Sequence, residues 1–143
     1  MLKAITHVNV WVRDQDEARE FYTQKLGFEV REDVTVAEMG NFRWLTVGPP
    51  SQPELQMILM QPDAFPASAD TIAKLQDVVA KGAGGGVIFE VEDCRATYEE
   101  LKAKGVEIVQ EPTEQFYGID AAFRDPSGNQ HRFTQMAEVP QTT

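Results

Sequence analysis

Over residues 4–12, Thr6, Val8, Val10 and Val12 alternate with Ile5, His7, Asn9 and Trp11. A period of two predicts a strand with one apolar face and one face carrying an imidazole, an amide and an indole. The mixed face has the chemistry of a pocket wall. Asp14 then stands three residues before Glu17 as a capping-box-like start, and Ala18, Phe21, Tyr22 and Leu26 follow at helical spacing up to Gly27. Alternation returns over residues 28–36 and 42–47, the Pro-rich stretch 48–53 makes a turn, and residues 54–60 make a fourth strand. Residues 1–60 therefore predict the order βαβββ.

The pattern changes over residues 61–85, where Pro62, Pro66 and Ser68 mark a loop and Ile72, Leu75, Val78 and Val79 mark a short amphipathic helix ending near Gly82. The glycine-rich run 82–86 has no Lys-Ser or Lys-Thr after it and leads into a strand, so it predicts a hinge or close-packed turn in place of a phosphate loop. Residues 86–136 then repeat the first order. A strand over 87–91 precedes a helix opened by Asp93, with Cys94, Thr97, Tyr98 and Leu101 on its apolar face and Gly105 as its stop. Strands over 106–109, 117–123 and 130–135 follow, the last after the turn 125–129. Superposing the halves brings Arg13-Asp14 onto Glu92-Asp93 and Leu26-Gly27-Phe28 onto Lys104-Gly105-Val106. A repeated unit too small to close its own core must pair with another, within the chain or between chains. The expectation is one domain over 1–136, built of module one (1–60), a linker (61–85) and module two (86–136), with a polar tail over 137–143.

Composition narrows the function classes. A formal net charge of −10 and a pI near 4.6 exclude a phosphate-binding nucleic-acid partner and an anionic membrane surface, both of which need clustered Lys and Arg. No apolar run approaches the roughly 20 residues that span a bilayer. Cys94 is the single cysteine, which fits a reducing compartment, and the expected location is cytoplasmic.

Two βαβββ modules, a first strand carrying His7 and the turn Arg124-Asp125-Pro126-Ser127-Gly128-Asn129 before the last strand resemble the vicinal oxygen chelate superfamily. That group includes glyoxalase I, extradiol dioxygenases, methylmalonyl-CoA epimerases, fosfomycin-resistance enzymes and bleomycin-binding resistance proteins. The resemblance covers residues 2–135 and implies an α+β fold, with two modules forming a curved mixed sheet around a cavity and helices outside. It also implies metal ligands on the first and fourth strand of each module. His7 matches, and Gln56 offers a weaker oxygen donor. Gly86 stands where a His is expected and Arg132 where a Glu is expected, Arg132 being taken as the repeat equivalent of Gln56. A guanidinium has no lone pair and repels a cation, so no metal is assigned; one held through His7 and Gln56 is the alternative.

The candidate catalytic residue is His7, as a general base. Candidate ligand-cavity residues are Asn9, Trp11, Trp44, Gln56, Glu90, Tyr117 and Arg132. A buried Arg132 must be paired, with Glu90, Glu54 or an anionic ligand. Phe42, Trp44, Tyr117 and Phe123 serve either a pocket wall or the core, and Cys94 is expected to be an inert packed thiol. The expected function is binding of a small organic molecule without the usual metal. The alternatives are an isomerase, lyase or dioxygenase-like enzyme of the same superfamily, and an interaction module with a closed cavity. A homodimer is expected by analogy, with no cofactor other than a possible divalent metal.

Overall fold

The computed structural model describes residues 1–138, so the last five positions of the expected tail lie outside the described residues. Strand β1 (His7–Trp11) leads into α1 (Gln15–Glu20), whose cap Asp14 accepts a hydrogen bond from the Glu17 N–H, and a π-helical turn over Phe21–Lys25 extends it. Strands β2 (Glu29–Val36), β3 (Phe42–Gly48) and β4 (Gln56–Met60) complete the first unit. After α2 (Ala69–Ala80), the second unit runs β5 (Ile88–Glu90), α3 (Cys94–Ala103), β6 (Glu107–Gln115), β7 (Gly118–Arg124) and β8 (Gln130–Met136). The fold is α+β, with two four-stranded mixed sheets ordered β1-β4-β3-β2 and β5-β8-β7-β6. The two sheets do not close on one another.

Strand β6 is longer than the alternation predicts, because it continues through Pro112 to Gln115. Proline lacks the N–H that an inner strand must donate. β6 is the edge of its sheet, and a register slip between Gln110 and Thr113 absorbs the irregularity. The glycine-rich run is a close-packed turn, since a Cβ on Gly86 would lie 2.0 Å from the carbonyl oxygen of Gln130.

One apolar cluster joins the two units. β1 contributes Val10 and Val12, α1 and its π turn contribute Ala18, Phe21 and Tyr22, and α3 contributes Cys94, Tyr98 and Leu101. Phe123 from β7 and Phe133 from β8 close it, which settles Phe123 as core. The Cys94 thiol is fully buried, 3.7 Å from the Phe133 carbonyl, and burial pushes its pKa up, as an inert packed thiol requires. Strand side chains alternate between faces, so burying Val10, Val12, His131 and Phe133 on the shared side turns His7, Asn9, Trp11 and Arg132 away from it.

A buried hydrogen-bond junction crosses this core. His131 Nδ1 accepts from the Val87 N–H at 3.0 Å, which leaves Nε2 to carry the proton and donate to the Tyr22 hydroxyl at 2.7 Å. The Tyr22 O–H then donates to Asp125 Oδ2 at 2.7 Å. Asp125 also accepts from the Ser127 and Asn129 backbone N–H groups and from the Asn129 side-chain amide. That amide donates in turn to the Trp11 carbonyl at 2.7 Å, and the Arg13 N–H donates to Ser127 Oγ at 3.0 Å. The Asp125–Asn129 turn is therefore bolted to the end of β1. Burial pushes the Asp125 carboxyl up, but the bonding groups of His131, Tyr22 and Asn129 outweigh it and hold its pKa below the usual value.

Replacing Tyr22 with Phe removes both side-chain bonds at full burial and should cost roughly 1–3 kcal/mol, read as a lower urea midpoint. Because the folded Asp125 pKa lies below the unfolded one, its contribution is present above about pH 4 and is lost as the pH falls through the folded value. Urea titrations from pH 6 to pH 3 should show a falling unfolding free energy, with a shallower acid limb in Asp125→Asn.

Candidate functional site

The outward face of the first sheet brings five of the predicted site residues together. His7 lies beside Gln56 in the parallel β1–β4 register, Asn9 beside Ile58 and Trp11 beside Met60. Trp44 on β3 meets His7 with ring centroids 5.7 Å apart, and Trp11 meets Phe65 edge-to-face at 5.8 Å. Gln56 Oε1 accepts a bond from the Thr46 hydroxyl at 2.7 Å, which orients the amide. His7 Nδ1 lies 2.8 Å from the Thr6 hydroxyl. His7, Trp11 and Trp44 are half-buried and Asn9 is exposed, so this wall is wet and open.

The outward face of the second sheet is a charged network. Arg132 donates through Nε and Nη2 to Asp120 Oδ2, the Nε bond being 3.0 Å, and through Nη2 to Gln110 Oε1 at 2.8 Å. Asp120 also accepts from the Thr134 and Tyr117 hydroxyls at 3.0 and 3.1 Å. Burial raises the Asp120 pKa, yet the bonds from Arg132, Thr134 and Tyr117 prevail and lower it; the Arg132 pKa rises in consequence. The partner of Arg132 is therefore Asp120, not Glu90 or Glu54. Ala122, opposite Arg132 on β7, has no bulk to hold the guanidinium off Asp120 two residues along the same strand. Glu90 sits beside Thr134 at the free edge of β5, exposed and outside the network. Asp120 and Gln110 were missed, although the alternation of Asp120, Ala122 and Arg124 in β7 carries the signal for Asp120.

The strand registers also correct the internal alignment. Both modules carry a slip at the same place, between Val30 and Glu32 and between Ile108 and Gln110. Thr46 and Ala122 follow as equivalents, and they face Ile58 and Arg132. Asn9 and Ile88 in turn pair with Ile58 and Arg132. The counterpart of Arg132 is therefore Ile58, and Gln56 matches Gln130; the sequence comparison was two residues out of step. Gly86 does match His7. It has no space for an imidazole, because even a Cβ would strike the Gln130 carbonyl.

These positions bear on the metal that the fold family implies. His7 supplies one donor, whereas Ile58, Gly86 and Arg132 supply none. The amides of those strands are Asn9, Gln56, Gln130 and Gln135, and neutral amide oxygens alone do not neutralise a divalent cation. Among the described residues no group of three or more His, Cys, Asp or Glu side chains is placed to hold a metal ion. The donor set does not fit a divalent cation.

Two mixed four-stranded sheets, each from a βαβββ unit, define the class of fold. The family model described as the glyoxalase/bleomycin resistance protein/dioxygenase superfamily matches residues 4–133, and the chain belongs to that superfamily. It is 38% identical over 125 residues to the uncharacterized protein YurT of Bacillus subtilis, covering 87% of this chain and 93% of the relative. Among solved structures it is similar to UcmS2, with 46% identity, a TM-score of 0.87 and coverage of 94% of this chain and 98% of the other. It is also similar to TnmS3, an antibiotic binding protein from Streptomyces sp. CB03234, with 26% identity, a TM-score of 0.75 and coverage of 95% and 98%. Among the described residues no helix is long and apolar enough to cross a membrane.

The Arg132–Asp120 assignment predicts a defined non-additivity. Arg132→Met leaves Asp120, 1% exposed, without its cation and should cost roughly 2 kcal/mol, while Arg132→Met with Asp120→Leu should recover about half of that. Urea unfolding of the two single variants and the double variant gives the coupling energy directly.

Proposed function

We propose that this protein binds and sequesters a small organic molecule, of the partly apolar and flat kind that aromatic walls suit, without a catalytic metal. The observation that carries this reading is the open face on which His7, Trp44 and Trp11 form an aromatic wall with Asn9 and Gln56 as its hydrogen-bonding groups. The similarity to an antibiotic binding protein supports the same class. Arg132 already carries its counter-charge in Asp120, so the ligand needs no negative charge to bind there. Tyr117, Gln110 and Arg132 offer hydrogen bonds from the second sheet, and the site belongs to a cytoplasmic protein.

A single chain does not enclose that ligand. Both polar faces look away from the shared core, and β1 and β5 each have one sheet neighbour and one free edge. Leu2, Ile5 and Ile88 are exposed near those edges. A homodimer in which module two of one copy covers module one of the other buries these groups and closes two equivalent cups.

His7 as a general base supports a second reading, an isomerase, lyase or dioxygenase-like enzyme. The Thr6 hydroxyl against Nδ1 holds the imidazole in place, as such a role requires. Turnover of a bound candidate, lost in His7→Ala while binding persists, separates it from sequestration.

Both tryptophans of the chain, Trp11 and Trp44, lie on the proposed wall, so ligand binding should quench intrinsic fluorescence. A panel of aromatic antibiotics and metabolites should yield at least one saturable quench that survives chelator. Trp44→Leu should weaken that binding about tenfold, the scale of an aromatic anchor. Sedimentation velocity at micromolar concentration should show a dimer; a monomer that still binds would remove the swapped cup.

A further inference from the structure

A cleft of about 720 Å³ lies between the two units on the side of the sheets opposite the polar faces. Its walls are Val8 and Met57 from the apolar face of the first sheet, Phe28 from the turn before β2, and Phe89, Phe123 and Phe133 from the second unit. Phe28 meets Phe89 edge-to-face at 5.5 Å, and Phe89 stacks on Phe123 at 6.3 Å. The volume lies within the range of sites that hold drug-sized ligands. None of the residues of the proposed wall, His7, Trp11, Trp44 or Gln56, lines it.

The rim carries Lys25, Lys104, Glu90, Glu92 and Glu100. The two lysines are occupied. Lys25 donates to the carbonyl of Lys104, and Lys104 donates to the carbonyl of Lys25 at 3.3 Å, a reciprocal clasp between the ends of the two helical segments. Lys104 also pairs with Glu100 at 3.3 Å. Among the described residues no cation lies within ion-pair distance of Glu90 or Glu92, both of which are exposed. Two lysines against three glutamates leave the rim one negative charge in excess, carried by the unpaired Glu90 and Glu92 over an apolar, aromatic interior, on a chain whose net charge is already −10.

We propose that this cleft is a second small-molecule site, separate from the polar faces, and that it takes an apolar or aromatic body carrying one protonated amine. The body packs against Phe28, Phe89 and Met57, and the ammonium stays at the mouth beside Glu90 and Glu92. Removing the amine from contact with water is unnecessary in this geometry, so the acidic rim contributes selectivity and the apolar walls contribute affinity.

Three probes of matched shape test the proposal: 1-naphthylmethylamine, 1-naphthylmethanol and 1-naphthoate, followed by amide and indole shifts in ¹H–¹⁵N spectra of the full chain. The amine should perturb the amides of residues 87–92 and of Phe28 and leave the indoles of Trp11 and Trp44 in place. It should bind about threefold tighter than the alcohol at low salt, a difference that shrinks as salt screens the exposed rim, and naphthoate should bind weakest. Glu90→Gln with Glu92→Gln, both at exposed positions, should erase the preference and retain the apolar binding. Shifts confined to the two indoles, no shift with any probe, or naphthoate binding as well as the amine would overturn the proposal. The indole signals report the polar face independently, so failure here is distinct from failure of the sequestration reading.

Discussion

The junction of Tyr22, His131 and Asp125 sets the rest of the molecule. Three polar side chains from two modules meet where water is excluded, and each depends on the others for hydrogen bonds. Groups left unpaired at that depth would cost more than the bonds themselves contribute, so the units hold a single relative placement. That placement commits the apolar face of each sheet, with its helix, to the common core. The polar faces have no alternative but to look outward, so the partial exposure of His7, Trp11 and Trp44 follows from buried hydrogen bonds on the other side of the sheets.

Much of this architecture is legible in the residue pattern. The period-two stretches, the Asp14 and Asp93 caps and the stops at Gly27 and Gly105 locate both modules, because each rests on local physics that tertiary packing reinforces. Local physics fails at Pro112, whose rule against strands does not hold on an edge. It also fails for the site. The equivalence of Gln56 with Arg132 is a matter of strand register, and a shift of two residues keeps every side chain on its predicted face, so alternation cannot detect it. Asp120 escaped notice for a related reason: its partner is long-range, and nothing near it in sequence announces a cation.

Register and sterics together give the outward faces their chemistry. Had Gln56 and Arg132 been equivalent, the pair of modules would have held two potential oxygen or nitrogen donors beside two losses. With Ile58 in the place matching Arg132, and Gly86 closed by the Gln130 carbonyl, only the imidazole of His7 persists. The guanidinium at the fourth position is itself neutralised by a carboxylate buried beneath it, which makes the second face a hydrogen-bonding surface of little net charge. Such a surface offers hydrogen bonds with little net charge, as the indole and imidazole wall of the first sheet does.

The same division of faces gives this acidic chain two surfaces of different character, a polar outward face and an apolar cleft. The outward faces look away from the shared core, whereas the cleft lies between the units of the one chain and is bounded by β5, whose outer edge is also free. β5 is therefore the shared element. Its Phe89, with Val87 just before the strand, faces the cleft, its Ile88 and Glu90 are exposed, and its three paired residues are the fewest of any strand in the sheet. A strand that short, held to β8 on one side only, has the fewest ladder bonds to fix it, and it borders both the cleft and the open edge of the sheet.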